Sequence, residues 1–108
     1  METFELAVVG LQMTASGEPY LEFFRNPGMS VGLYRLPAGG QDGQQPHTED
    51  EIYYVLGGRA MIRVGDEERQ VGAGSVVFVE KNAAHRFHTI TEDLDLLVVF
   101  SPAEGTGD

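Results

Sequence analysis

His47 stands four residues before Glu51, and Glu51 opens an alternating apolar run, Ile52-Tyr53-Tyr54-Val55-Leu56, that stops at Gly57-Gly58. Side chains of equal parity share one face of a strand. His47 and Glu51 therefore point the same way if extended geometry is roughly kept across Thr48-Glu49-Asp50. An imidazole and a carboxylate brought together in this manner are raw material for a metal site. A second apolar run, Val76-Val77-Phe78-Val79, follows Gly74 and leads through Glu80-Lys81-Asn82-Ala83-Ala84 to His85. The chain has three histidines, and all of them lie in these two segments. It has no cysteine. Disulfides and thiolate ligands are thereby excluded, leaving His, Asp and Glu as the strong ligand types.

The elements that must hold these residues are mostly strands. Short runs with strand periodicity occupy 20–25, 29–36, 51–56, 59–64, 67–71, 75–79, 85–90 and 94–100. They are separated by Asn26-Pro27-Gly28, Gly57-Gly58, Gly65-Asp66, Gly72-Ala73-Gly74 and Thr91-Glu92-Asp93, which are turn chemistries suited to antiparallel connections. Such spacing predicts an all-β sandwich or barrel, the jelly roll among them. One helix is predicted, over 3–15: Phe4, Val8 and Leu11 recur at helical spacing, Thr3 caps the start and Gly17 suits the end. Residues 1–18 are thus expected as a helical segment packed on the barrel, 19–102 as one barrel domain, and 103–108 as a tail with nothing to bury, hence disordered.

At 108 residues the chain has material for one modest core. Seventeen acidic against seven basic residues give a formal charge of −10, which argues against nucleic acid or an anionic membrane as partner. The start lacks a basic leader and no apolar stretch is long enough to span a bilayer, so a cytoplasmic location is the expectation. Several strands are apolar on both faces. The outward row Ile52, Tyr54 and Leu56 must meet the helix, a second sheet or another subunit, and a homodimer is expected.

The two segments resemble the paired motifs of the cupin superfamily. Gly39, Gln45, His47, Glu51 and Gly58 fall at the spacings of the first motif, with Gln45 where a histidine is usual. Gly74, Glu80, Asn82, His85 and Thr89 fall at those of the second, where only Gly74 and His85 match by identity. Asn82 is a tolerable replacement for the motif's glycine because asparagine visits left-handed backbone conformations. The resemblance spans roughly residues 20 to 101, and Pro46 to Ala60 are similar to small single-domain bacterial cupins with a conserved barrel and no assigned function. It implies a double-stranded β-helix, or jelly-roll barrel, with one divalent ion held by His47, Glu51 and His85.

Two imidazoles and one carboxylate around open positions suit Fe(II) and also accommodate Mn, Zn or Ni. The alternative is a metal-free barrel in which the three are merely hydrogen-bonded, although a carboxylate among apolar walls is expensive without a cation or partner. Gln45 offers a neutral amide oxygen, as a fourth ligand, through a water, or not at all. Glu49 shares the ligands' parity but sits in the expected turn, and Asp50 is expected in solvent. Tyr53, Val55 and Phe87 should wall the pocket by parity, with Thr89 and Tyr34 as further lining residues. His88 has the opposite parity from His85 and should face away. Arg35 would clamp an anionic ligand if it faced inward.

Cupins include oxygenases, isomerases and epimerases, decarboxylases, lyases and non-catalytic binding modules, so the resemblance alone selects no activity. The sequence supports a metal-binding protein that acts on or binds a small organic molecule, as an oxygenase-type enzyme. Its alternatives are an isomerase, epimerase or lyase, and a non-catalytic small-molecule or metal-binding module.

Overall fold

The computed structural model describes residues 1–43 and 46–107. After helix α1 (Leu6–Ser16) the chain forms six strands: β1 (Tyr20–Asn26), β2 (Met29–Leu36), β3 (Asp50–Val64), β4 (Glu67–Gly72), β5 (Val76–Val79) and β6 (His85–Ser101). Hydrogen bonding runs in the order β1-β2-β6-β3-β4, with β5 also paired to β3, and every pairing is antiparallel.

The predicted eight strands become six because β3 and β6 are long and bent. Gly57-Gly58 does not end a hairpin. It lies inside β3, where the register against β6 shifts between Val55 and Gly57 and again between Gly57 and Arg59. Gly58 has φ 96, and a Cβ there would lie 2.7 Å from the Cα of Leu94, so only glycine lets the two strands approach at this bend. Thr91-Glu92-Asp93 is likewise strand within β6 rather than a turn. The other expected turns do reverse the chain. In the first, Asn26 Oδ1 accepts the N–H groups of Gly28 and Met29.

Folding β3 and β6 over on themselves encloses a core of Tyr53, Val55, Ile62, Phe87, Leu94, Leu96, Val98 and Phe100, all almost wholly buried. The odd residues of β3 face inward and the even ones outward as far as the bend, as strand alternation requires.

Helix α1 buries a different face from the predicted one. Val9 and Met13 pack with Leu33 against Leu21, Phe23, Leu56 and Leu97, whereas Phe4, Val8 and Leu11 are exposed. The helix starts at Leu6 after Glu5, which makes no side-chain cap, so Thr3 is not the cap. Leu56 consequently lies under the helix, leaving only Ile52 and Tyr54 of the outward row exposed. Arg35 is also fixed outward: its guanidinium lies 3.4 Å from Asp95 and donates to the Gly10 carbonyl and the Thr14 hydroxyl. It clamps the helix to the sheet instead of an anion in the barrel.

The C-terminal segment is tied down, contrary to the expectation that it has nothing to bury. Ala103 is buried, the Glu104 N–H donates to Ser30 Oγ, and the Gly105 and Gly107 N–H groups donate to the two oxygens of Glu49. Glu49, expected in an exposed turn, is 2% exposed because it receives this segment.

Candidate metal centre

Two connections bring the motif segments together. The Asn82 N–H donates to the His47 carbonyl at 2.6 Å, and the Lys81 N–H donates to Asp50 Oδ1 at 3.0 Å. Asn82 does so with φ 65, the left-handed conformation expected of it. The 80–84 connection is thereby pinned to the segment before β3. His85 emerges as the first residue of β6 beside Glu51, near the start of β3.

One potential ligand atom from each of His47, Glu51 and His85 lies within 4.8 Å of the other two. Glu51 and His85 are buried and His47 is half-buried. His85 Nδ1 lies 2.9 Å from the Ala83 carbonyl, an obligate acceptor, so that nitrogen carries the proton. In the neutral ring Nε2 is then a bare lone pair, and it faces Glu51 Oε1 at 3.1 Å. The two are within ion-pair reach, but their directions do not make a hydrogen bond. Among the described residues, Glu51 Oε1 and Oε2 and His85 Nε2 are buried without a hydrogen-bond partner.

With Nε2 unprotonated the two are acceptors aimed at each other in a dry interior, an arrangement that calls for positive charge between them, a proton on Nε2 or a cation. Burial pushes the His85 imidazole down. Glu51, the Ala83 carbonyl and Asp42 more than offset this, holding it above its ordinary value. The donor set, two nitrogens and a carboxylate with open space on one side, fits a divalent ion.

The surrounding side chains fix the ligands. His47 stacks edge-on against Phe100 at 4.7 Å, and its Nδ1 lies 3.6 Å from the Glu104 carboxylate. Tyr53 packs against His85 at 6.0 Å and edge-on against Phe87 at 4.9 Å. Asp42 accepts the Tyr34 hydroxyl at 2.8 Å and the Phe87 N–H at 3.0 Å, tying the loop after β2 to β6 behind the site. A cavity of about 170 Å³ opens onto His47 and is lined by Tyr20, Tyr34, Val98, Phe100 and Glu104.

Of the sequence-predicted residues, His47, Glu51 and His85 converge, Tyr53, Val55 and Phe87 are core residues, and Tyr34 lines the cavity. Thr89 does not line it. It is exposed with φ 50, its hydroxyl 2.9 Å from His88 Nδ1, because β6 is irregular there. His88 faces away, paired with Glu68 at 2.8 Å. Gln45 lies outside the described residues. Tyr20, Asp42 and Glu104 were missed. None belongs to a spacing pattern, and Glu104 reaches the cavity through the contacts of the C-terminal segment with Arg25, Ser30 and Glu49.

Among the described residues no helix is long and apolar enough to cross a membrane. The chain is 52% identical over 104 residues, 96% of its length and 99% of the relative's, to an uncharacterized protein of Streptomyces coelicolor. The structure of TT1209 from Thermus thermophilus is 29% identical, with 95% of this chain and 99% of that one covered and a TM-score of 0.73. KdgF from Halomonas sp. is 19% identical (77% and 76% covered, TM-score 0.70) and the DMSP lyase DddQ from Ruegeria pomeroyi 22% identical (79% and 48% covered, TM-score 0.68). At those identities the likeness speaks for the fold alone. Residues 32–100 match the family described as Cupin domain, and with the barrel and both motif segments in place the chain belongs to the cupin family.

Proposed function

We propose that this protein binds one divalent metal ion through His47, Glu51 and His85 and uses the adjoining cavity to act on a small organic molecule. The observation that carries the reading is the set of buried polar atoms on Glu51 and His85, without a hydrogen-bond partner among the described residues, beside His47. A bound ion would supply Lewis acidity or, if iron, affinity for dioxygen. The chain's own residues do the rest. Ala83 holds the His85 ring in the tautomer that presents Nε2, Phe100 and Tyr53 restrain the two imidazoles, and Phe87 and Val98 keep water from the buried side. An oxygenase-type reaction is the first reading. An isomerase or lyase step and non-catalytic binding are the outcomes that an absence of oxygen uptake would favour.

Elemental analysis of protein purified without chelator or metal-affinity tag tests the site. About one iron, manganese, zinc or nickel per chain is expected, and none in His85→Ala with its β-sheet signal intact. Full retention in His85→Ala would move the site elsewhere.

The oligomeric part of the reading is a homodimer through the outer face of β3 and β5. Ile52 pairs with Phe78 and Tyr54 with Val76 across these strands, and Val76 and Phe78 are 65% and 58% exposed. An uncharged row on a chain of net charge −10 gives a second copy a contact free of like-charge repulsion. Light scattering should report a dimer that Phe78→Asp dissociates, and a monomeric wild type would refute it.

A further inference from the structure

Tyr20 is the one group lining the cavity that the metal reading leaves without a task. Its hydroxyl oxygen is buried and, among the described residues, has no hydrogen-bond partner. A phenol in that position normally finds one, since an unmade hydrogen bond costs about 1–3 kcal/mol.

The placement is built by the local sequence. Tyr20 opens β1, paired in register with Tyr34, and its ring meets that of Tyr34 edge-on at 6.2 Å. One step along the same face of β2 is Gly32, and the Tyr20 ring lies across it. A Cβ at Gly32 would meet the Tyr20 hydroxyl oxygen first and would sit 2.5 Å from Cζ and 2.8 Å from Cε1, so the hydroxyl end of the ring lies over Gly32. Gly32 has no positive φ, so it is there for space, and the space is filled by the phenol. The ring thus reaches inward over the sheet to the cavity that it shares with His47 and Glu104.

We propose that Tyr20 is a ligand-binding residue whose hydroxyl donates a hydrogen bond to the carbonyl oxygen of a small uncharged organic molecule held in the cavity. This deepens the proposed function and rests on it for the identity of the cavity. Tyr34, Val98 and Phe100 give the molecule apolar walls, and Glu104 gives it an acceptor for a hydroxyl or N–H group. The volume, about 170 Å³, is that of roughly six waters at about 30 Å³ each. The charges of Glu104, Glu22 and Glu51 outweigh that of Arg25 at the phenol, which disfavours a free carboxylate and favours an uncharged carbonyl. The same charges, after burial, push the Tyr20 phenol up and keep it a donor.

Hydroxyacetone, which offers a carbonyl and a hydroxyl in an uncharged molecule of this size, is a suitable probe. Protein labelled at the tyrosine Cζ with carbon-13 is titrated with it by NMR, zinc-loaded and metal-free, for wild type, Tyr20→Phe and Tyr54→Phe. One resonance, absent from Tyr20→Phe, should shift saturably, and Tyr20→Phe should bind the probe about tenfold more weakly. Tyr54→Phe, altered on the outer face, should bind as wild type does. Gly32→Ala, which pushes the ring aside while retaining the hydroxyl, should weaken binding as Tyr20→Phe does. Zinc stoichiometry, measured separately, should be the same in wild type and Tyr20→Phe. If wild type takes up no zinc, the metal reading fails and the metal-free titration decides the role of Tyr20 by the same shift. Equal probe affinity in wild type and Tyr20→Phe, or no saturable shift in either form of the wild type, would overturn it.

Discussion

Glu49 and Glu51 lie two residues apart, are 2% and 1% exposed, and are treated by the fold in opposite ways. Glu49 is saturated: it accepts the Thr48 hydroxyl, the Gly105 N–H at 3.1 Å and the Gly107 N–H at 2.8 Å. Glu51 accepts no hydrogen bond among the described residues and faces Nε2 of His85 at 3.1 Å. Desolvation penalises both charges, so burial alone does not separate them. What separates them is the partner supplied. Backbone N–H groups make Glu49 a latch for the C-terminal segment, whereas Glu51 meets the imidazole of His85.

The largest expected effect breaks this comparison at Glu51. At a metal concentration about 100-fold above Kd, wild type should gain about 2.7 kcal/mol of stability, about 12 °C in Tm for a domain of this size. Glu51→Ala should gain nothing from the metal, while Glu49→Ala should keep most of the gain. Thermal denaturation with and without added zinc reads this directly. An equal gain in Glu51→Ala would mean that the two carboxylates do not differ in the way described.

The converse experiment is next in size. Glu49→Ala strands the N–H groups of Gly105 and Gly107 and should cost about 2 kcal/mol in urea denaturation of the metal-free protein. Amide exchange at Gly105 and Gly107 should accelerate, and the metal should still bind at one per chain. Unchanged exchange at both glycines would show that the latch does not hold.

The smallest effect concerns pH. Burial pushes the Glu49 carboxyl up, but its hydrogen bonds from Thr48, Gly105 and Gly107 more than offset this and hold it below the ordinary 4.5. A carboxylate with a lowered folded-state value contributes stability that is fully present above its unfolded value and is lost as pH falls through the folded one. Stability of the wild type should therefore fall more steeply below about pH 4.5 than that of Glu49→Ala. Parallel acid limbs for the two proteins would remove Glu49 from the account.

How much of this could be read beforehand differs by element. The triad was legible because its spacing carries both parity and motif position, as were the turn at Asn26-Pro27-Gly28 and the left-handed Asn82. The outward face of the helix was misread because Phe4, Val8 and Leu11 form a helical stripe as regular as Val9 and Met13 do, and only docking on Leu33 selects between them. Gly57-Gly58 was read as a turn because glycine marks a hairpin and a bulged bend alike. Thr89 was lost to that same irregularity of β6, where simple alternation stops.

The sequence by itself determined the local quantities: strand period, turn chemistry, the absence of thiols, and two histidines and a glutamate at spacings that a barrel can bring together. These follow from neighbours along the chain, whose geometry is set by backbone sterics. The tertiary structure alone decided which buried carboxylate is satisfied and which is not, that Gly32 yields its space to Tyr20, and that Glu104 joins the cavity. Those depend on partners far apart in sequence, such as Gly107 with Glu49 and His85 with Glu51, where the groups met in a dry interior fix charge.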